Sequence, residues 1–390
     1  MALSAPTTNN QLIKFRREVI YDFLRNSRFD PYMGDDATSP IVRMRDFSAD
    51  GRQVNIPLVN QLSTRGVGSG VLSGAEEQLD DYGFPIWTDF ARNAVAFNKQ
   101  SVKDASFDIP SAARSLLRNW AKATIRDDIV DALMSIPLAS VQANRGSSIN
   151  GGNRINGIRY IDASVAQRNT WVTNNVDRVL FGAAIANYST TAATALANVD
   201  STNDKLTASA VSLMKRIAQT ASTPRINPWM IEGTDEEWYV LFVGSRTMRD
   251  LRNDATMFQA NRDARPREGA GVTQSGGNPI FSGGALVWDG VIIKEIPEIT
   301  TRITTQAPFL TAGASNIPVE PVFLCGQAAM AYGIGQMPRV TTKQDTDYDF
   351  VDGVGVEAQY GVAKIARATF GTSNLKDVGM VTGFFSGVAD

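Results

Sequence analysis

The feature that most constrains the fold is one long amphipathic helix, predicted between Asp108 and Ile136. Its apolar residues recur at the spacing of a helix with one buried side. They are Ile109, Ala113, Leu117, Ala121, Ile125, Ile129, Ala132 and Ile136, with Leu116, Trp120 and Leu133 beside them. At about 1.5 Å per residue the helix is a rod about 40 Å long, so the fold must offer it a long apolar surface. The core helix of an α/β enzyme would show the same pattern.

A second amphipathic helix is predicted over residues 11–28. One side carries an apolar stripe and the other side is mainly basic. Prolines and a glycine interrupt the residues that follow, so too little chain surrounds this helix to bury its stripe. We therefore expect residues 1–50 to form an arm that packs on other subunits. Its predicted contact residues are Leu12, Phe15, Arg16, Arg17, Val19 and Phe23.

Residues 51–86 are predicted to form a two-stranded loop with a glycine-rich tip. The segment GRQVNIPLV resembles a strand, whereas STRGVGSGVLSGAEE is rich in glycine and serine. A two-stranded ribbon is marginally stable in water and exposes its strand edges, so it needs a neighbour. The predicted contact residues of the tip are Arg65, Gly66, Gly68, Gly70 and Gly74.

The remaining sequence mixes strands and helices, which indicates an α+β fold. Residues 87–107 are predicted to be extended. The segment WYVLFV at 238–243 is apolar on both faces, as in a buried central strand. Asp289 and Gly290 separate two apolar runs and predict a tight hairpin turn. Residues 354–363 alternate between apolar and polar, which is typical of a half-buried strand.

Few residues of the sequence indicate a catalytic, cofactor-binding or metal-binding site. The chain contains no histidine, the commonest general acid–base group and a leading metal ligand. It has neither a G-x-x-x-x-G-K-[ST] phosphate loop nor a G-x-S-x-G elbow. Asp345, Asp347 and Asp349 resemble part of a calcium loop, but Phe350 and Val356 stand where that motif requires glycine and glutamate. We expect no catalytic residue, no cofactor and no metal site, and keep a histidine-free enzyme as an alternative.

The charge balance of the chain limits the binding partners that we expect, and its single cysteine has a simple structural interpretation. Lys and Arg number 38 and Asp and Glu 40, which disfavours a dedicated nucleic-acid binder but leaves local contact open. The single cysteine, Cys325, lies in an apolar run that indicates burial.

Arginines between Arg246 and Arg267 alternate with acidic residues. This stretch is predicted to be a salt-bridged surface or a contact with nucleic acid or other subunits. The longest apolar stretch, 322–334, is too short to cross a membrane.

Three segments, together with the order of arm, loop and long helix, carry a resemblance to a known family. The segments are GVGSGVLSGAEEQLDDYGFPIWTDFARNAVAF, WYVLFVGSRTMRDLRNDATMF and NPIFSGGALVWDGVIIKEIPEI. The chain resembles the major capsid proteins of tailed bacteriophages, nearest to the coat proteins of N4-like podoviruses. The likeness covers nearly the whole chain and lies in the order of the elements.

The resemblance implies the α+β fold that tailed-phage and herpesvirus shells share. That fold has an N-terminal arm, an extended two-stranded loop, a peripheral domain with a long spine helix, and an axial domain. The implied division is an arm (1–50), a loop (51–86), a peripheral domain with the spine helix (87–140), an axial domain (141–337) and a return to the peripheral domain with a C-terminal tail (338–390).

The resemblance also implies a structural subunit that self-assembles into an icosahedral shell around a double-stranded DNA genome. The expected partners are other copies in hexamers and pentamers, portal and scaffolding or decoration proteins, and packaged DNA on the inner face, bound non-specifically. No membrane is expected. The expected location is the virion capsid, and the bacterial host cytoplasm during assembly. The alternative is a cellular nanocompartment shell of the same fold that encloses cargo enzymes.

Overall fold

A computed structural model describes residues 28–36, 38–45, 53–59, 66–76, 81–104, 109–137, 147–149, 152–230, 236–263, 281–282, 285–343, 350–368 and 374–389. The strands of these residues are β1 (Met33–Gly34), β2 (Ile41–Arg45), β3 (Gln53–Val59), β4 (Asp81–Trp87), β5 (Asp89–Asn98), β6 (Ser135–Ile136), β7 (Ser147–Ile149), β8 (Gly152–Asn156), β9 (Ile158–Arg159), β10 (Val179–Phe181), β11 (Trp229–Met230), β12 (Glu237–Val243), β13 (Phe281–Ser282), β14 (Ala285–Trp288), β15 (Val291–Glu295), β16 (Val319–Cys325), β17 (Met330–Lys343), β18 (Val351–Lys364), β19 (Ala366–Ala368), β20 (Leu375–Asp377) and β21 (Met380–Ser386).

The helices of the same residues are α1 (Lys99–Asp104), α2 (Ile109–Leu133), α3 (Val165–Asn174), α4 (Ala192–Ala197), α5 (Ala208–Thr220), α6 (Ser245–Asn253), α7 (Ala255–Asp263) and α8 (Pro297–Ile299). A π-helical turn, Thr300–Thr304, continues α8.

The first large sheet has the strand order β1-β2-β17-β18-β8-β7, and β5 also pairs with β18. Its centre is the antiparallel pair β17 and β18. In β18 the side chains of Val356, Ala358, Tyr360 and Val362 are buried, while Glu357 is partly exposed. This confirms the predicted alternation between Val356 and Tyr360, because successive side chains of a strand point to opposite faces. Residues 353–356 and 360–364 are buried on both faces, so the strand is more buried than the sequence predicted.

The second large sheet has the order β10-β21-β16-β12-β15-β14-β13. Strand β12 lies between β15 and β16, and its residues Val240, Leu241 and Phe242 are fully buried, which confirms the predicted central strand. The β14–β15 hairpin turns at Asp289 and Gly290, whose φ angles are 48° and 71°. Both angles are left-handed, as a two-residue hairpin turn of this type requires.

The spine helix, α2, begins at Ile109 and lies against β18. Leu117, Ile125 and Ile129 are buried, as predicted. The helix ends at Leu133, earlier than predicted, because residues 135–136 form β6 and pair with β9.

Leu116 was assigned to the apolar stripe of the spine helix, but its side chain is 64% exposed. Adjacent residues of a helix point about 100° apart, so Leu116 turns away from the sheet that covers Leu117. Asp108, where the predicted helix begins, lies outside the described residues.

Replacing Leu117, which is 2% exposed, with alanine is expected to lower the free energy of unfolding by about 2–5 kcal/mol. The lost burial and the cavity under the helix both contribute. Leu116→Ala is the matched control and should change stability by less than about 0.5 kcal/mol, since surface substitutions rarely do more. Urea unfolding of both variants measures the difference. Equal effects would contradict the assignment of the buried side.

Some strands cut across the division that the resemblance implies. The boundary between 337 and 338 falls inside β17, which belongs to the first sheet. Strand β21 lies in the second sheet between β10 and β16, and all of its residues are buried. The predicted extended stretch 87–107 holds β5 but continues into α1. These segments join partners that are distant in sequence, and local patterns do not reveal such pairings.

Candidate assembly surfaces

The loop is built as a hairpin with a fixed base. Strands β3 and β4 pair antiparallel from Gln53 opposite Trp87 to Val59 opposite Asp81. Ile56, Phe84 and Ile86 are buried together in an apolar cluster with residues of β2, β17 and β18. The base is therefore anchored on its own subunit. This differs from the expectation that the whole loop depends on a neighbour.

The loop tip, residues 66–76, stands clear of that base. Val71 is 81% exposed and Leu72 61% exposed. Apart from the glycine itself and its two neighbours in the chain, no heavy atom lies within 4 Å of the position that a Cβ atom would take at Gly66, Gly68 or Gly74. An apolar tip in open space is costly for an isolated chain, so it indicates a surface that another molecule covers.

The backbone of the loop tip uses glycine where other residues would be strained. Gly66 and Gly74 have φ angles of 74° and 89°, in the left-handed region. The tip also closes on itself, since Gly74 N donates to a Glu76 carboxylate oxygen at 2.7 Å. Among the predicted contact residues Gly66, Gly68, Gly70 and Gly74 lie in this tip, and Arg65 lies outside the described residues.

The predicted contact residues of the arm also lie outside the described residues. They are Leu12, Phe15, Arg16, Arg17, Val19 and Phe23. The described part of the predicted arm, residues 28–36 and 38–45, is anchored on its own subunit and adds two strands to the first sheet, which differs from the expectation that the whole of residues 1–50 packs on other subunits. Phe29 is fully buried, with its ring 5.2 Å from that of Phe242, and Tyr32 lies 5.7 Å from the same ring. The sequence analysis missed this anchor, although two aromatic residues on either side of a proline were a visible signal.

Charged side chains hold the spine helix to the first sheet and to the π-helical turn. Asp128 accepts hydrogen bonds from Arg154 Nε of β8 at 2.7 Å and from Tyr360 Oη of β18 at 2.6 Å. Asp131 accepts two hydrogen bonds from Arg302, at 3.0 and 2.5 Å, and burial raises its pKa. Because Arg302 lies in the π-helical turn next to the second sheet, these bonds join the two halves of the fold.

The prediction of no catalytic residue and no metal site concerns a different set of residues. The described residues contain no cluster of three or more His, Cys, Asp or Glu that could hold a metal ion. Cys325 is fully buried, and burial raises the pKa of its thiol, which keeps it protonated. Asp345, Asp347 and Asp349 lie outside the described residues. A small pocket lies beside Asp131, and two of its lining residues, Arg159 and Arg302, pair with that carboxylate.

Two arginines of the arginine-dense stretch hold the C-terminal end of the chain. Arg246 donates to the Gly387 carbonyl oxygen at 2.7 Å, and Arg249 donates to that of Val388 at 3.0 Å. Arg252 pairs with Glu295 at 3.2 Å. These arginines thus take part in contacts within the subunit. No helix of the described residues has the length and apolarity needed to span a membrane.

The arrangement of arm anchor, exposed loop tip, spine helix and two sheets matches known proteins. The family model described as Phage capsid protein matches residues 6–382. The chain belongs to the phage capsid protein family. It is 25% identical over 371 residues to the major capsid protein of Pseudomonas phage KPP25, covering 92% of this chain and 90% of that one.

Solved structures agree with this membership of the phage capsid family. The capsid asymmetric unit of cyanophage Pam1 aligns with a TM-score of 0.76 and 34% identity, covering 94% of each chain. The capsid of Ralstonia phage GP4 aligns with a TM-score of 0.66 and 18% identity, covering 93% of this chain and 92% of that one. The second match shows the fold alone.

This capsid protein is therefore a structural shell subunit of a phage, as the resemblance implied, with the predicted α+β capsid fold. It self-assembles into the shell and is located in the virion capsid. The matches do not favour the nanocompartment alternative. The placement nearest to the N4-like podoviruses stays a prediction.

Proposed function

We propose that this capsid protein forms the hexamers and pentamers of an icosahedral shell that encloses the double-stranded DNA genome of a tailed phage. The observation that carries the proposal is the loop: its base is packed on its own subunit, while its apolar tip is exposed. A neighbouring subunit is the surface that would cover this tip. The glycines of the tip would let it bend differently at non-identical positions of a closed shell.

The two sheets are the basis for proposed domain roles. The first sheet and the spine helix would form the peripheral domain, and the second sheet the axial domain. Assembly contacts are proposed for the arm and for the loop tip. The contact residues are Leu12, Phe15, Arg16, Arg17, Val19 and Phe23 of the arm, and Arg65, Gly66, Gly68, Gly70 and Gly74 of the loop.

Further partners follow from the role as a shell subunit. Portal and scaffolding or decoration proteins would contact the shell, and packaged DNA would touch its inner face without sequence preference. Arg16 and Arg17 of the arm would face this interior or an acidic neighbour, because cations attract phosphates or carboxylates there. Assembly would take place in the cytoplasm of the bacterial host.

We also propose that the capsid protein has no catalytic activity and needs no cofactor. The sequence has no histidine for acid–base work. The buried carboxylates Asp128 and Asp131 are committed to Arg154 and Arg302, and therefore hold the fold together.

Changing Phe15 and Phe23 to serine together is expected to leave folded subunits that do not form closed shells. Each large apolar side chain of the arm that is buried against a neighbour would contribute about 1.5–3 kcal/mol to assembly. Negative-stain microscopy and size-exclusion chromatography report the shells. Lys14→Ser with Arg25→Ser, on the opposite side of the predicted helix, is the matched control and should still assemble. Shells of normal size from the Phe15 and Phe23 variant would contradict the role of the arm.

A further inference from the structure

The predicted arm helix ends beside a carboxylate, that of Glu298 in α8. Arg28 is the last residue of that predicted helix and the first described residue. Its Nη1 atom lies 3.8 Å from a Glu298 carboxylate oxygen and donates to the backbone oxygen of Glu295 at 3.4 Å. These contacts mark the point where the arm joins the rest of the subunit.

The same carboxylate also binds the spine helix. Glu298 Oε1 lies 2.9 Å from Arg126 of α2. Glu298 therefore lies between the end of the predicted arm helix and the spine helix. Arg126 has a second partner, Asp127, at 3.1 Å, so the spine helix does not depend on Glu298 alone.

Buried neighbours hold both sides of the contact between Arg28 and Glu298. Phe29, the next residue after Arg28, is fully buried. Ile296 and Ile299, on either side of Glu298, are fully buried too, and α8 begins with a proline, which suits the first turn of a helix. Because both backbone positions are already fixed, little conformational entropy is lost when the two side chains meet.

Glu298 has an oxygen that can still accept a hydrogen bond from the arm. Its Oε2 atom is buried and has no hydrogen-bond partner among the residues that the structure describes. At 3.8 Å, Arg28 is close enough for an ion pair but too far for a hydrogen bond. Buried polar oxygens usually have a partner, and residues 25–27, which are Arg, Asn and Ser, all carry side-chain donors.

We infer that Glu298 is a positioning residue for the arm. It holds Arg28 beside the spine helix and thereby sets the direction in which residues 1–27 leave the subunit. This inference rests on the proposed function, in which the arm docks on a neighbouring subunit. An arm that leaves in another direction carries its apolar stripe away from that neighbour, so assembly suffers although the subunit is folded.

The exposure of the pair separates positioning from a contribution to stability. The Arg28 side chain is 45% exposed, and exposed ion pairs add little to the stability of a fold. Loss of the pair should therefore leave thermal unfolding of the subunit nearly unchanged. The effect is expected on the arm and on the shells.

The first measurement tests the contact itself, by limited trypsin digestion of unassembled full-length subunits. Trypsin must bind the Arg28 side chain in order to cleave after it, so Arg28 has to leave Glu298 first. In E298Q this cleavage, followed by mass spectrometry, is expected to be about threefold to fivefold faster, the size expected for a partly exposed ion pair. Cleavage after Arg17, farther along the arm, is the internal reference and should not change.

The matched control is E295Q, which removes the same charge three residues away. The Glu295 side chain also pairs with an arginine, Arg252, at 3.2 Å, whereas only its backbone oxygen contacts Arg28. Cleavage after Arg28 should therefore stay at the rate of the unchanged chain in E295Q.

The second measurement tests the consequence for assembly, by negative-stain microscopy and size-exclusion chromatography. E298Q is expected to lose most of its closed shells, and E295Q to form them normally. R28Q removes the same contact from the arm side and leaves the pair of Glu298 and Arg126 intact, so it also serves if E298Q does not fold. The double variant R28Q/E298Q should lose no more shells than either single variant, because both remove one interaction.

Several results would overturn the inference. One is an unchanged rate of cleavage after Arg28 in E298Q. Another is faster cleavage together with shells of normal number and size, and a third is an equal loss of shells in E298Q and E295Q. If the variant with Phe15 and Phe23 changed to serine fails to assemble while E298Q assembles normally, this inference alone is wrong. If that serine variant also forms normal shells, the proposed function of the arm is wrong.

Discussion

Deletion of residues 63–74 is expected to give a folded subunit that forms no closed shells. The deletion removes Val67, Val71 and Leu72, the exposed apolar residues of the loop tip, and keeps the strands of the base. Because Ile56, Phe84 and Ile86 remain packed on the first sheet, the fold should survive. Electron microscopy should show no closed particles, and circular dichroism with thermal unfolding should show a native subunit.

A second variant separates the apolar side chains of the tip from its length. Val71→Ser together with Leu72→Ser keeps every residue of the loop but removes most of its exposed apolar area. We expect fewer and less stable shells, because two apolar contacts per subunit are lost at each tip. If the deletion variant forms shells of normal size and stability, the loop tip is only a surface excursion.

Asp128→Ala is expected to lower the free energy of unfolding by about 3–5 kcal/mol. The side chain of Asp128 is buried at the junction of the spine helix and the first sheet. It accepts from Arg154 at 2.7 Å and from Tyr360 at 2.6 Å. Removing the carboxylate leaves the buried Arg154 without its counter-charge, which costs far more than the loss of an exposed pair.

The neighbouring residue supplies the control. Asp127 pairs with Arg126 at 3.1 Å and with Arg302 at 3.2 Å, but all three side chains are about one-third exposed to solvent. Asp127→Ala should therefore cost no more than about 1 kcal/mol. Urea unfolding of the two variants measures the contrast. If Asp128→Ala were no more destabilising than Asp127→Ala, the junction would not depend on this buried pair.

The elements predicted correctly share strong local patterns. The spine helix shows its helical spacing directly, as seen for Leu117 and Ile129. Strand β12 shows a run of apolar residues, and the hairpin at Asp289 and Gly290 shows a turn signal. In each case the pattern lies within one short segment, so nearby residues carry the information.

Features that join distant segments were not predictable in this way. The Asp128 junction combines three residues from separate parts of the chain, and Asp128 and Arg154 alone resemble surface residues. The place of β21 beside β10 depends on pairing between residues 179–181 and residues 382–384, which are far apart in the sequence. Leu116 was misassigned because an apolar residue beside a buried stripe can point to either side.

The loop, the candidate assembly site, could also be predicted only in part from the sequence. Glycine content predicted an irregular tip, and the left-handed backbone at Gly66 and Gly74 agrees with that. The sequence did not show that the base of the loop is fixed on its own subunit, since Ile56 and Phe84 find their partners in strands far along the chain. The role of the arm and of the tip as assembly contacts stays a prediction.

The central claim is that an anchored loop with an exposed tip connects neighbouring subunits in a closed shell. A cryo-electron microscopy reconstruction of particles assembled from the full-length chain tests it most directly. We predict a closed shell in which residues 66–76 of each subunit lie against a neighbouring copy, with Val71 and Leu72 covered. A shell in which these two side chains stay in solvent, or contact only their own subunit, would contradict the claim.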